Sequence, residues 1–423
     1  DCALPPTAMM NLAQDELQAW LALANGGLAA RQRARRLLAH FGGPLQVWAA
    51  SDAEWQVALE GDRGEGLRPQ FGAMHSTALH TLAWLAASPS HHVLCLGDPH
   101  YPAALLESPD PPLLLHAVGR LESLCRPAVA LVGSRHATPA GQRLAGRLAA
   151  ELAVLGVAVV SGLAVGIDAA AHEATLTTGG PGATIAVVAS GLDEVYPRQH
   201  RGLFQRIAEA GLVVSEHPLY TPALPAYFPQ RNRIIAGLSC AVVVVEATLR
   251  SGSLITARLA SEAGRDVFAV PGPLSSAQSA GCNRLIKSGA GLLEHVGDIV
   301  ESQPWAFSAE LRQALAPPGR RKKRHGTAPA GFGLLYEPPR DQSPLPEGAG
   351  HGALLQPAGP GGLSPSSWSR VSRMLRAKPC DLPELAGAVS ESASEVSHTL
   401  LMAELQGLVA RLPGSLYQWC GET

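Results

Sequence analysis

Between residues 127 and 300 the chain alternates short apolar runs with stretches of helical spacing, and this rhythm limits the fold more than any other feature. The runs are AVALVG (128–133), VAVV (157–160), TIAVVAS (184–190), LVVSE (212–216), AVVVVE (241–246) and VFAVPG (267–272). They are valine-rich and show little apolar–polar alternation. Strands of that kind are covered on both faces, the condition of a parallel sheet between helical layers. Residues 139–155 place Leu144, Leu148, Leu152 and Leu155 on one helical stripe. The expected core is an α/β, Rossmann-like, doubly wound and mostly parallel sheet.

The flanks read differently. Residues 11–87 carry apolar positions at helical spacing, interrupted at NGG and GGP. They are expected to form a small helical, SAM-like or helix-hairpin-helix domain, with LLAHFGGPLQVWAAS (37–51) as its hairpin. Helix packing is preferred there to phosphate binding. The sheet domain is expected over 97–303, its first part (97–125) extended and punctuated by proline. Residues 304–366, rich in Pro and Gly and holding the basic run RRKKRH (320–325), read as a disordered linker. Residues 367–423 read as a winged helix with its wing at Pro413-Gly414. That segment has five basic and six acidic residues, which favours contact with protein over contact with DNA.

In a doubly wound sheet, ligands bind beyond the carboxyl ends of the strands. The residues expected there are small, hydroxylic or cationic. Ser134 and Arg135 follow the first strand, and Gly162, Gly166 and Asp168 follow the second. Arg198 follows the third, Ser251, Gly252, Ser253 and Thr256 the fifth, and Asn283 and Lys287 the sixth. Arg231, Asn232 and Arg233 precede the fifth strand. Serine and glycine at a helix start expose N–H groups that suit an anion, and arginine adds forked phosphate contacts. Arg231 and Arg233 stand two apart, so on a helix one at most faces the cleft; the spacing leaves open which. Structural readings stand beside these. The glycines permit close packing, Asp168 and the serines cap helices, and His172, four residues after Asp168, stabilises its own helix.

Several function classes drop out. A formal net charge of −2 excludes a globally basic nucleic-acid binder, while residues 126–300 hold 14 basic and 12 acidic groups, leaving room for a local patch. There is no GxGxxG followed by a spaced acidic residue, no GxxxxGK[ST] loop and no GxSxG elbow. No catalytic residue set is recognised, and no cofactor or metal is expected. The seven cysteines lack metal-ligand spacing and read as reduced thiols of a cytoplasmic protein. Neither a transmembrane run nor a secretion signal is expected, and Met9 or Met10 is a candidate start.

The segments VGSR, SGLAVGIDAAAH, SGLDEVYP, SEHP, FPQRNRIIAGLS, VVVVEATLRSGSLITARLASEAGRDVFAVPG and GCNRLIKSGA occur in this order. Across about residues 97–300 they closely resemble the DNA-processing protein A family (DprA, also called Smf). The resemblance implies single-stranded DNA binding without strong sequence preference, protection of incoming strands in natural transformation, and loading of RecA. It also implies a homodimer joined through the Rossmann-like domain, and no membrane partner. The family's phosphate-contacting arginine corresponds to Arg135. Its basic residue after the YP step corresponds to Arg198, often lysine in relatives. Tyr196, Tyr227 and Phe228 are possible base-stacking groups, with packing the preferred role of each. The alternative function is a Rossmann-like nucleotide-processing enzyme of the nucleoside monophosphate hydrolase type. That class needs a PGGxGT-type loop, which neither VPGPLSS nor SGSLITA supplies.

Overall fold

The computed structural model describes residues 14–25, 28–60, 73–304, 306–309, 364–389, 392–405, 408–412 and 416–420. The chain divides into two compact units, residues 1–337 and 338–423.

The first unit opens with helices α1 (Gln14–Ala24), α2 (Leu28–Phe41), α3 (Pro44–Ala49), α4 (Asp52–Ala58) and α5 (His75–Ala87). Residues Leu17 to Leu23 of α1 are all buried, so this helix is the centre of its cluster. Leu37, Val47 and Trp55 pack around it. Gly42 turns the chain out of α2 with φ +85°, and Pro44 starts α3 where its missing N–H costs nothing. The same apolar cluster continues onto Cys95, Leu113 and Leu114 of the sheet region.

The sheet strands are β1 (His91–Cys95), β2 (Leu114–Gly119), β3 (Ala128–Val132), β4 (Ala158–Ser161), β5 (Thr184–Val187), β6 (Leu212–Ser215), β7 (Ala241–Val244), β8 (Asp266–Ala269) and β9 (Gly291–Leu292). The helices between and after them are α6 (Ala103–Leu106), α7 (Pro139–Val154), α8 (Ile167–Thr178), α9 (Arg201–Ala210), α10 (Tyr227–Leu238), α11 (Ser253–Glu262), α12 (Ala277–Lys287) and α13 (Val296–Ser302). The strand order is β1-β2-β6-β5-β4-β3-β7-β8-β9. From β6 to β9 all neighbours are parallel, whereas β1–β2 and β2–β6 are antiparallel.

Both faces of this sheet are covered. On β3, Ala128, Ala130 and Val132 meet Ile234, Ile235 and Leu254 of α10 and α11. The alternate residues Val129 and Leu131 meet Leu148 and Leu152 of α7 and Ile167 of α8. The mostly parallel, doubly wound sheet read from the sequence is the one observed. The strands stop earlier than the apolar runs: β5 ends at Val187, and Val188 to Ser190 already belong to the connecting loop. From β3 the chain proceeds through β4 to β6 on one side and resumes with β7 on the other. The carboxyl ends of β3 and β7 therefore flank the point where winding reverses, the usual place for a ligand crevice.

The second unit comprises α14 (Pro365–Ala377), β10 (Cys380–Asp381), α15 (Leu382–Gly387), α16 (Ala393–Leu405), β11 (Val409–Leu412) and β12 (Leu416–Trp419). Its antiparallel strands lie in the order β10-β12-β11 over a core of Val371, Leu375, Leu385, Val396 and Leu400. This is a winged helix. The wing tip at Pro413-Gly414 lies outside the described residues, as does nearly all of the 304–366 segment with its basic run. The exposed arginines Arg370, Arg373 and Arg376 sit on α14, whereas α16 exposes Glu395 and His398.

Candidate functional site

A cleft of about 400 Å3 opens at the reversal point. One wall is the loop after β3, with Ser134, Arg135 and His136; the other is the turn after β7, with Thr248, Arg250, Ser251 and Gly252. Ser253 and Thr256 of α11, Phe228, Arg231 and Asn232 of α10, Asp168 and Gln278 complete the lining. Three arginines, one aspartate and His136 are the ionisable side chains among these residues.

Each wall is braced from behind. Thr138 caps α7, its hydroxyl accepting the Gly141 N–H at 3.0 Å, and it donates its own N–H and O–H to the Glu246 carboxylate at 2.8 and 2.6 Å. Glu246 is thus engaged by the start of α7 and does not line the cleft. The loop after β4 supports the β3 loop. Gly166 has φ +86° and ψ −124°, and a Cβ there would overlap the Ser134 carbonyl oxygen and meet the Arg135 carbonyl oxygen at 3.0 Å. Gly162 lies under Arg231, whose guanidinium occupies the space a Cβ would take. Here the two glycines of SGLAVG permit close backbone approach, and neither lines the cleft itself.

Arg231 forms the floor. Its Nη1 donates to the carbonyl oxygens of Gly162 and Val187, both at 2.5 Å, tying the ends of β4 and β5. Burial pushes its pKa down to about 10, opposed by the nearby Asp168 carboxylate, so it stays charged at neutral pH. Burial pushes Asp168 up, opposed by Arg231 and by the N–H groups of Gly162 and Ala164 that donate to it. Asn232 accepts from Arg231 Nε at 3.2 Å and reaches the Gly252 carbonyl at 3.4 Å. The Ser251 and Ser253 hydroxyls lie 2.6 Å apart at the α11 start. Above this floor Arg135 is exposed, with its guanidinium 4.9 Å from the centre of the Phe228 ring. Tyr196 meets Phe228 edge to face at 5.6 Å.

The structure thus gathers Ser134, Arg135, Arg231, Asn232, Ser251, Gly252, Ser253 and Thr256 on one cleft and leaves six expected residues off it: the two bracing glycines, Gly162 and Gly166, and Arg198, Arg233, Asn283 and Lys287. Arg233 points to the far side of α10, where it pairs with Asp110 at 2.9 Å and with Glu216. Arg31 and Arg35 of α2 join Asp110, at 2.6 and 2.7 Å, and Arg31 also lies 3.9 Å from Glu216. The two-residue spacing settles in favour of Arg231. Asn283 is a brace: its side chain donates to the Gly272 carbonyl at 2.9 Å and accepts the Gly272 N–H at 3.2 Å. Lys287 is exposed at the end of α12, and Arg198 is exposed beyond the cleft wall, two residues after Tyr196. His172 does not pair with Asp168; its Nδ1 lies 2.6 Å from Thr184 Oγ1, and burial pushes its pKa down to about 3.

Arg250 was not singled out by the sequence reading. Its position directly before the Ser251-Gly252-Ser253 turn, at the end of a buried strand, was the available signal. Among the described residues no group of three or more His, Cys, Asp or Glu is placed to hold a metal, and no helix is long and apolar enough to cross a membrane. Cys95, Cys240, Cys282 and Cys380 are buried free thiols.

The model for DNA recombination-mediator protein A matches residues 92–304, and that for the DprA winged helix domain matches 366–415. Protein Smf of Synechocystis is 38% identical over 326 residues, covering 76% of this chain and 78% of that protein. The chain belongs to the DNA-processing protein A (DprA/Smf) family. Among other family members, the DNA processing protein DprA of Streptococcus pneumoniae is 45% identical over 216 residues, covering 50% of this chain and 73% of that protein. A crystal structure of the pneumococcal protein aligns with a TM-score of 0.57 at 34% identity, covering 70% of this chain and 99% of that one. The family match spans every residue that lines the cleft.

Proposed function

We propose that this chain is a single-stranded DNA-binding protein whose cleft between β3 and β7 holds the phosphate backbone. The observation that carries the proposal is the pairing of an anion-friendly helix start, Ser251 to Ser253, with Arg135, Arg231 and Arg250 in one cleft. Helix-start N–H groups and guanidinium forks both favour phosphate. Phosphate contacts carry no base identity, so binding tolerates sequence. The exposed Tyr196 and Arg198 extend a path out of the cleft for the following nucleotides. No nucleophile–base pair accompanies the arginines, which favours a binding protein over the nucleotide-processing enzyme.

Family membership supports the wider role: protecting incoming strands and loading RecA during transformation and recombination, as a cytoplasmic homodimer joined through the sheet domain. The test is fluorescence anisotropy with labelled poly-dT and a matching duplex, for wild type and Arg135→Glu. The proposal expects tight single-strand binding, weak duplex binding and loss in the variant. Equal affinity for both forms, or an unaffected variant, refutes it.

A further inference from the structure

The arrangement around Phe228 assigns that ring a role that deepens the proposed single-strand binding and rests on it. We infer that Phe228 is a positioning residue for Arg135, and that the ring acts through the guanidinium and not by stacking on a base. Arg135 is the exposed arginine of the β3 loop, and no hydrogen bond or ion pair to its guanidinium is present among the described residues. What it does have is the Phe228 ring at 4.9 Å from its guanidinium carbon.

The attraction between a guanidinium and the negative face of an aromatic ring confines such a side chain without using any of its N–H donors. All five therefore stay available for phosphate. Phe228 is itself fixed on two sides. It belongs to α10, whose next turn carries the immobile Arg231, 5.9 Å from the same ring. Tyr196 meets it in a T-shaped contact, with the ring centres 5.6 Å apart. With two guanidinium groups near it and Tyr196 packed against it, the ring is engaged before any strand arrives. A base reaching this point meets the guanidinium of Arg135 or the half-exposed Tyr196.

The experiment is a double-mutant cycle of Phe228→Leu and Arg135→Ala on the full chain, read by anisotropy on poly-dT and on an abasic phosphodeoxyribose strand of equal length. Phe228→Leu is expected to weaken binding by about 2- to 30-fold, the range such contacts span. The loss should be equal on both strands and absent in the Arg135→Ala background. Phe228→Tyr, which keeps the ring, should restore affinity, separating positioning from a folding defect. A loss confined to poly-dT, a loss undiminished in the Arg135→Ala background, or wild-type affinity that vanishes on the abasic strand would overturn the assignment. Failure of the wild type to bind either strand is a different result, and it removes the single-strand reading and this inference together.

Discussion

Replacing Gly166 by alanine tests the architecture of the cleft at its tightest point. The backbone there, φ +86° and ψ −124°, is open to glycine and costs an L-residue about 1–3 kcal/mol. The added methyl would also overlap the Ser134 carbonyl oxygen, which is backbone and cannot rotate away, and would sit 3.0 Å from the Arg135 carbonyl oxygen against an ordinary contact of 3.4 Å or more. The β3 loop must therefore retreat, and Arg135 moves with it. Strain and lost packing together come to about 2–4 kcal/mol. For a domain of this size each kcal/mol lowers Tm by about 2–4 °C, so a fall of roughly 5–15 °C is expected by differential scanning calorimetry. At a temperature where the variant remains folded, its affinity for poly-dT should fall at least about tenfold, since a displaced guanidinium no longer meets phosphate. A Gly166→Ala protein with unchanged Tm and unchanged affinity would refute the claim that the SGLAVG loop sets the position of Arg135.

Arg250→Ala should weaken poly-dT binding and reduce the slope of log affinity against log salt by about 0.7, one phosphate contact on a single strand, whereas Lys287→Ala should leave the slope unchanged. Asp110→Ala removes the carboxylate that Arg31, Arg35 and Arg233 share, while Glu216 still meets Arg31 and Arg233. Breaking a buried ion cluster costs about 3–5 kcal/mol, and faster hydrogen exchange along α2 should report it. His116, with both ring nitrogens buried and unpartnered, has its pKa pushed down to about 4 by burial. Above pH 6.5 neither folded nor unfolded chain protonates it. Between pH 6.5 and 4 the unfolded chain takes the proton first, so stability falls with pH by up to about 1.4 kcal/mol per unit. In denaturant titrations across that window, His116→Leu should remove its share of the slope and leave that of His172.

The parallel sheet was legible because β3, β4, β5 and β7 are buried on both faces and leave no polar alternation in the sequence. Arg135 was legible because a short strand leaves the next residues at the rim. The antiparallel β1 and β2 were harder to read: prolines crowd the segment between them, and their place beside β6 is fixed by contacts distant in sequence. Asn283 was misplaced for a geometric reason. Its helix after β8 does reach the cleft, through Gln278 near its start, but Asn283 lies further along and its side chain is held by the Gly272 backbone. Arg231 and Arg233 differ only in helix phase, and the phase of α10 is set by its apolar contacts with β3.

That phase has a mechanical consequence. One helix bears the cleft floor on one side and the ion cluster to α2 on the other. If α10 rolls to accommodate a strand at Arg231, the salt bridges of Arg233 to Asp110 and Glu216 are strained. In that event strand binding and the integrity of the ion cluster would be linked, each changing the other by the same free energy.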